Sequence, residues 1–239
     1  MTSVMKPRKK LFDEGCVFCR MEFDHDLSSE PTNELLYSGK SHYVICGLGA
    51  WVPGYVLLVT HQHFDNFSRA PDDTQPEFRA LFADIERLFV EEFGEVTIFE
   101  HGAVGDEKRA GGCINHAHIH FVAKKVDLCR ELEGQFRSMP IPNDNSQTRD
   151  IPPLQTPYLY VKQQEEDAQL FLVDRPLPTQ FLRQKVASMI GMGEHWDYKL
   201  HPFNENILTT IEMLRGRIGS SPPASQPAAL HELAAESLP

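Results

Sequence analysis

The sequence has 239 residues, a formal net charge of -11 at pH 7 and a pI of about 5.4. Direct binding of a long nucleic acid is not expected of so acidic a chain, although a small nucleotide in a local pocket is compatible with this charge. Apolar residues make up 41% of the sequence, enough for a core, and no apolar run approaches the length of a membrane span.

The N-terminal residues 1–11 are predicted to form a flexible basic tail, because no apolar stretch of a secretory signal accompanies their charges. We therefore expect a cytoplasmic protein whose five cysteines are reduced thiols or metal ligands. Cys16 and Cys19 form a C-x2-C pair. This spacing fits a redox pair, half of a zinc site or a pair of buried thiols, because a tetrahedral metal site needs two further ligands.

Segments rich in β-branched and aromatic residues follow, and each is predicted to be a strand: residues 35–37, 43–46, 54–60 and 96–101. Between the last two, apolar residues recur at helical spacing over residues 77–93, and Gly94 is the expected C-cap. A glycine-rich polar loop then carries Lys108 and Arg109, which either reach a phosphate or lie in solvent.

Three histidines next alternate with apolar residues, at positions 116, 118 and 120. Because alternate residues of a strand share a face, His116, His118 and His120 are predicted to line one face and Phe121 to point into the core. Gly111 and Gly112 just upstream allow a tight loop. A glycine-rich loop before a row of imidazoles is typical of a phosphate site, and the alternative is a three-histidine metal site.

The segment 116–122 resembles the His-φ-His-φ-His-φ-φ signature of the histidine triad superfamily of nucleotide hydrolases and transferases, where φ is apolar. The resemblance spans residues 12–125 and implies an α+β fold, an antiparallel sheet of about five strands with a packed helix. It implies that His118 attacks the α-phosphorus and forms a nucleotidyl-histidine, that His120 binds phosphate oxygens, and that His116 positions the strand or binds metal. The substrate-binding residues on the preceding turn would be Gly112, Cys113 and Asn115.

The same resemblance suggests ligands that complete a structural zinc site. Bacterial histidine triad proteins and the related galactose-1-phosphate uridylyltransferases often open with a C-x2-C pair. A histidine at the end of a later strand and the first triad histidine complete that site. Here the corresponding set is Cys16, Cys19, His63 and His116. Small members of the family are dimers, so a homodimer is a further expectation.

The sequence departs from the family pattern at three positions. Tyr55 stands where a histidine is common, and Gly47 stands where the common hydrolases carry an aspartate for the ribose hydroxyls. Cys113 replaces a serine that contacts the leaving group. These departures argue against ordinary purine-nucleoside recognition and imply altered leaving-group chemistry.

The remaining chain is predicted to form an extension over residues 143–218, packed on a triad domain of residues 12–142. It would contain a linker, a hairpin and two helices, at residues 143–157, 158–173, 176–190 and 204–218. A disordered tail would follow at residues 219–239. Thr179 is the expected N-cap of the first helix. The extension resembles, more weakly, the triad-like domains of lariat-debranching-associated splicing proteins. That resemblance implies that Gln180 and Arg183 contact a phosphate, while the alternative for Arg183 is an exposed helix face.

The sequence therefore predicts a nucleotidyl hydrolase that cleaves a nucleoside phosphoramidate, a dinucleoside polyphosphate or a nucleotide-sugar. Three alternatives remain open. The first is a nucleotidyltransferase or phosphorylase, in which phosphate or a sugar phosphate replaces water. The second is a non-catalytic partner module of RNA processing. The third is a triad fold adapted to a specialised metabolite.

Overall fold

A computed structural model describes residues 12–21, 24, 30–105, 110–141, 155–163 and 167–220. Predictions for the N-terminal tail, Lys108 and Arg109, most of the 143–157 linker and residues 221–239 lie outside these described residues. Within the described ranges, no helix is long and apolar enough to cross a membrane.

The strands form an antiparallel sheet in which the triad strand is central. The spatial order is β1-β2-β3-β5-β4-β7-β8-β6. The strand bounds are β1 Leu35–Ser38, β2 His42–Cys46, β3 Tyr55–Thr60, β4 Thr97–Gly102, β5 His118–Val122, β6 Arg137–Ile141, β7 Tyr158–Gln163 and β8 Ala168–Leu172. The α+β fold class is confirmed, with eight strands in this sheet rather than about five. The count is larger because the predicted hairpin, β7 and β8, pairs with β4 and so continues the sheet.

Strand β6 has no counterpart among the predicted elements. It lies at the edge of the sheet and pairs with β8. Four of its five residues are exposed, and Pro140 lies within it. Proline is tolerated at a sheet edge because its missing N–H can face solvent. The segment therefore lacks the apolar alternation that reveals a half-buried strand.

The helices are α1 Val17–Arg20, α2 Gln75–Phe93, α3 Leu128–Leu132, α4 Phe181–Met189 and α5 Asn204–Leu214. The prediction for α2 is confirmed, although the helix begins two residues earlier. Gly94 ends it at φ 80°, and its N–H bonds to the Val90 carbonyl. The Phe121 ring of β5 lies 5.2 Å from the Phe82 ring and 6.1 Å from the Phe89 ring of α2. Helix α2 therefore covers the face of β5 that carries Phe121, which leaves the other face to His118 and His120.

The prediction for the start of α4 is wrong. The helix begins at Phe181, and its N-cap is Gln180 at φ 55°, with no side-chain capping bond; Thr179 does not cap it. The Phe181 N–H instead bonds to the Gly111 carbonyl at 3.4 Å. Contact with the loop before the triad thus sets the start of α4. Helix α5 ends at Leu214, four residues before the predicted end.

Candidate active site and metal centre

The polar face of β5 opens onto a cavity with a volume of about 290 Å³. Its walls are mainly apolar side chains from α1, β2, β3 and the loop before β5, namely Val17, Phe18, Met21, Ile45, Leu57 and Ile114. The polar side chains that line it include Tyr55, Cys113, His118, His120, Arg183 and Tyr198. The cavity thus combines an apolar body with a few convergent polar groups, as small-molecule sites do.

His118 is held in one tautomer by the backbone. Its Nδ1 lies 2.6 Å from the His116 carbonyl oxygen. A carbonyl can only accept a hydrogen bond, so Nδ1 carries the proton and Nε2 keeps a lone pair. Burial lowers the pKa of His118 below its usual value of 6.5, and the ring is therefore neutral at pH 7. A neutral imidazole with a free nitrogen in a cavity is a competent nucleophile.

His116 lies outside the strand that it was predicted to open. β5 begins at His118 because the backbone of Ala117 bonds to the Phe64 carbonyl, at 2.6 Å. The Nε2 atom of His116 lies 2.7 Å from the Thr60 carbonyl oxygen, which fixes the proton on Nε2. Its Nδ1 faces the Cys16 and Cys19 thiols. His118 and His120 thus lie on β5, whereas His116 precedes the strand by two residues.

Cys16, Cys19, His63 and His116 form a cluster that could hold a metal ion, since one ligand atom from each lies within 4.8 Å of all the others. The Nδ1 atom of His116 is 3.4 Å from the Cys16 Sγ and 3.5 Å from the Cys19 Sγ. The Cys19 Sγ is 3.3 Å from the His63 Nδ1. Tetrahedral coordination with ordinary Zn–S and Zn–N bond lengths separates sulfur and nitrogen by about 3.5 Å. The donor types and their separations therefore fit a zinc ion.

Arg183, Tyr55 and His120 form a hydrogen-bonded chain beside the cavity. The Arg183 Nη1 donates to the Tyr55 hydroxyl at 2.6 Å, and that hydroxyl lies 2.8 Å from the His120 Nδ1. Because arginine only donates, the Tyr55 oxygen accepts from it, and the hydroxyl hydrogen is available to donate to the His120 Nδ1. In a neutral His120 the remaining proton then lies on Nε2. Burial, the neighbouring histidines and the positive charge of Arg183 hold the pKa of His120 well below its usual value.

Two further groups escaped the sequence interpretation. His101 of β4 is buried, and its Nε2 accepts the Leu182 N–H of α4 at 3.0 Å. Burial lowers the pKa of His101 to about 3, so it remains a neutral acceptor. The sequence did hold a signal for this position, because residues two apart on a strand share a face and His101 follows Phe99 by two. In the structure, the Phe99 ring stacks on the His120 ring at 4.5 Å. Trp51, whose ring lies 4.3 Å below the Arg183 guanidinium, had no such signal.

The remaining predicted residues are divided between the cavity and its surroundings. Cys113 lines the cavity, whereas Gly112, Asn115 and Gln180 are not among the described lining residues. Asn115 donates from Nδ2 to the Gly105 carbonyl at 2.8 Å. Gln180 is buried at the start of α4. Arg183 therefore lines the cavity, whereas Gln180 is buried at the start of α4 and is not among the described lining residues.

No family model and no curated protein matches the sequence. Solved structures do match, and they include a hypothetical histidine triad nucleotide-binding protein from Sulfolobus tokodaii, at 18% identity and a TM-score of 0.37, over 86% of this chain and 97% of that one. A zinc-bound histidine triad family protein from Mycobacterium smegmatis matches at 21% identity and a TM-score of 0.35, over 47% of this chain and 76% of that one. Diadenosine triphosphate hydrolase from Plasmodium falciparum, in complex with cyclomarin A, matches at 20% identity and a TM-score of 0.34. The match covers 41% of this chain and 65% of that one.

The triad motif on β5, the antiparallel sheet around that strand and the α2 helix on its apolar face are the features that the resemblance predicts. The chain thus has an antiparallel α+β fold with a histidine triad motif at its central strand.

Proposed function

We propose that the chain is a nucleotidyl hydrolase of the histidine triad superfamily, with His118 as its nucleophile. The observation that carries the proposal is the bond from His118 Nδ1 to the His116 carbonyl, which leaves Nε2 unprotonated in a cavity. The proposed substrates are a nucleoside phosphoramidate, a dinucleoside polyphosphate or a nucleotide-sugar. A division into residues 12–142 and 143–218, and a homodimer, stay predictions.

In the first step, the Nε2 lone pair of His118 attacks the α-phosphorus of the substrate. A P–N bond forms, the bond to the leaving group breaks, and the leaving group departs with the bonding electron pair. The ring then carries a positive charge, which the His116 carbonyl stabilises through Nδ1–H. His120 donates from Nε2 to a phosphate oxygen, because Tyr55 occupies its Nδ1.

In the second step, water attacks the same phosphorus and the P–N bond breaks. His118 recovers its neutral form, with Nδ1 still protonated, and the proton lost by water leaves with solvent. Covalent catalysis of this kind divides one displacement into two easier ones. Cys113 lines the same cavity, and its thiol is a weak hydrogen-bond donor.

The test is intact-protein mass spectrometry after brief incubation with adenosine and guanosine 5′-phosphoramidates. We expect a mass gain of one nucleotide in the wild type and none in His118→Ala, together with loss of turnover by a factor of about 10³ or more. His201→Ala is a matched control, because that half-buried histidine is not among the described residues lining the cavity. Full turnover in His118→Ala would refute the mechanism.

We also propose that the Cys16, Cys19, His63 and His116 cluster binds one structural zinc ion. The support is the set of sulfur–nitrogen separations and the Thr60 carbonyl, which leaves the His116 Nδ1 free to ligate. Burial raises the pKa of the Cys19 thiol to about 11, so a cation is needed for the thiolate form at pH 7. The ion would fix the position of β5, and no chemical step uses it.

Metal analysis of the purified protein tests this proposal. We expect about one zinc per chain in the wild type and loss of it in Cys19→Ser. Cys129→Ser is the matched control, since Cys129 lies outside the cluster. Equal metal content in the two variants would contradict the site.

A further inference from the structure

Arg183 is a buried cation without an anionic partner. Its side chain is 4% exposed, and no carboxylate of the described residues forms an ion pair with it. Its hydrogen bonds go to neutral oxygens: Nη1 to the Tyr55 hydroxyl at 2.6 Å, and Nη2 to the Gly49 and Trp196 carbonyls at 3.1 and 3.2 Å. Buried charges are normally paired, because neutral dipoles compensate only part of the lost hydration. The counter-charge is therefore missing from this part of the chain.

The loop between β2 and β3 surrounds the guanidinium with backbone and leaves no room for a side chain. A Cβ at Gly49 would lie 2.9 Å from the Arg183 Nη2, and φ at this glycine is +66°. A Cβ at Gly47 would lie 2.9 Å from the Tyr55 ring. An acidic residue at either position would displace Tyr55 or Arg183. The loop thus keeps carboxylates away from the cation.

The guanidinium nevertheless faces the cavity. Arg183 lines it together with Gly47, Tyr55 and Tyr198. Of the five guanidinium N–H groups, one on Nη1 has no acceptor among the described residues, since Nε contacts the Trp196 carbonyl at 3.4 Å. The lining residues of the described chain include no Asp or Glu. An anion entering the cavity would therefore meet a positive potential and an available donor.

We propose that Arg183 binds a second anionic group of the substrate, a phosphate or a carboxylate, in addition to the phosphoryl group that His118 attacks. This inference rests on the proposed function and names the class of its substrate: a doubly anionic phosphoryl compound with an apolar or aromatic body for the rest of the cavity. The second anion lies next to His120, because one tyrosine hydroxyl separates that ring from Arg183.

The second anion has two chemical sources, the leaving group or the retained nucleotide. Calorimetric titration of the catalytically silent His118→Ala protein with adenosine, AMP, ADP and adenosine 3′,5′-bisphosphate separates them, and the matching uridine series is titrated in parallel because the sequence argues against ordinary purine recognition. ADP carries the added phosphate on the leaving side, and the bisphosphate carries it on the retained side. We expect one of these two to bind at least about tenfold more tightly than AMP, because hydrogen bonds between charged groups stabilise by this order.

Arg183→Gln in the same background removes the charge, and we expect it to abolish the advantage over AMP. Arg175→Gln is the control, since Arg175 is exposed and its guanidinium lies over the Phe136 ring, with neither residue among those lining the cavity. Should Arg183→Gln not melt cooperatively, Arg183→Lys retains the charge without the fork, and about a threefold loss is expected.

The inference would be overturned if neither ADP nor the bisphosphate bound more tightly than AMP, or if neither bound at all. It would also be overturned if the tighter binding relative to AMP survived in the Arg183 variant. The nucleotide adduct of the wild type with a phosphoramidate is measured separately. A result with adduct but no anion advantage refutes only the second anion site, and a result with no adduct refutes the proposed function.

Discussion

The hydroxyl of Tyr55 connects a permanent cation to an imidazole. It accepts from Arg183 at 2.6 Å and lies 2.8 Å from the His120 Nδ1. Two departures from the family pattern are thereby linked in space, because the Tyr55 ring occupies the volume that a side chain at Gly47 would need. A tyrosine at 55 thus requires a glycine at 47.

Tyr55→Phe is expected to slow nucleotidyl transfer while the fold is retained. The substitution keeps the ring and removes the hydrogen bond that places the His120 proton on Nε2. The proton is then free to occupy Nδ1, and the donor to the phosphate oxygens is lost in part. We expect the rate of adduct formation to fall by about 10- to 100-fold, measured by rapid-quench mass spectrometry.

The ¹⁵N spectrum of the histidines reports their tautomers directly. It would not change if the Tyr55 hydroxyl served only to stabilise the fold. In the wild type, the His120 Nε2 should appear protonated, and in Tyr55→Phe the two tautomers should mix. Tyr37→Phe is the control, because Tyr37 bonds to Glu77 and is not among the described cavity residues. An unchanged His120 spectrum in Tyr55→Phe would show that this hydroxyl does not set the tautomer.

The local sequence pattern predicts which face of a strand each side chain occupies. It does not predict contacts between residues that are distant in sequence. Alternation placed His118 and His120 on the polar face of β5, and it marked Phe121 as apolar core. It could not place Arg183 beside Tyr55, since the two are 128 residues apart and their contact depends on the packing of α4 against the sheet. The family motif likewise gave no signal for Trp51.

Among the elements, α1 is a single helical turn that no periodicity could have predicted. Its Phe18 ring contacts the rings of His116 and His118, at 5.7 and 5.1 Å between centroids. The proposed metal would tie α1 to the end of β3 and to β5. The long helix α2 was predictable because its apolar stripe repeats over five turns, whereas the start of α4 depends on Gly111 and not on a local cap.

Removal of the metal is expected to weaken the attachment of α1 to β3 and β5 and so to lower the stability of the fold. Treatment with a strong chelator should lower the melting temperature of the wild type by more than about 5 °C, because metal binding to the native state adds to its stability. The chelator should leave Cys19→Ser unchanged, since that variant has lost a ligand. Calorimetry with and without chelator gives the comparison, and equal shifts in both proteins would contradict a structural metal.

At the scale of the whole molecule, the sheet buries titratable groups whose contributions to the pH dependence of stability have opposite signs. Burial lowers the pKa of His101 to about 3 and that of His120 well below 6.5, so both resist protonation in the fold. Burial raises the pKa of Glu100 to about 7, while its carboxylate accepts from the Phe67 N–H and the Tyr158 hydroxyl, at 2.9 and 2.8 Å. Between pH 4.5 and 6.5, His101 binds its proton only in the unfolded chain and Glu100 binds its proton only in the fold.

As the pH drops through this window, the His101 contribution to the free energy of unfolding falls and the Glu100 contribution rises, each by about 1.4 kcal/mol per pH unit. Glu100→Gln removes the one opposing group. We expect the difference in unfolding free energy between wild type and Glu100→Gln to grow by about 1.4 kcal/mol per pH unit from pH 7 down to 4.5, in favour of the wild type.

Urea titrations at several pH values provide the measurement, and the common background of other groups cancels in the difference. Glu205→Gln serves as the control, because Glu205 is exposed on α5. Parallel curves for wild type and Glu100→Gln would mean that Glu100 is ionised throughout this range.

Strand β5 has a hydrogen-bonded neighbour on each side, β3 and β4, and three strands lie beyond β4. A strand in that position cannot shift to suit a new substrate without breaking two ladders at once. A change of cavity shape that leaves both ladders intact can come from the Gly47–Trp51 turn, from the segment around Tyr198 or from the wall side chains of β2 and β3.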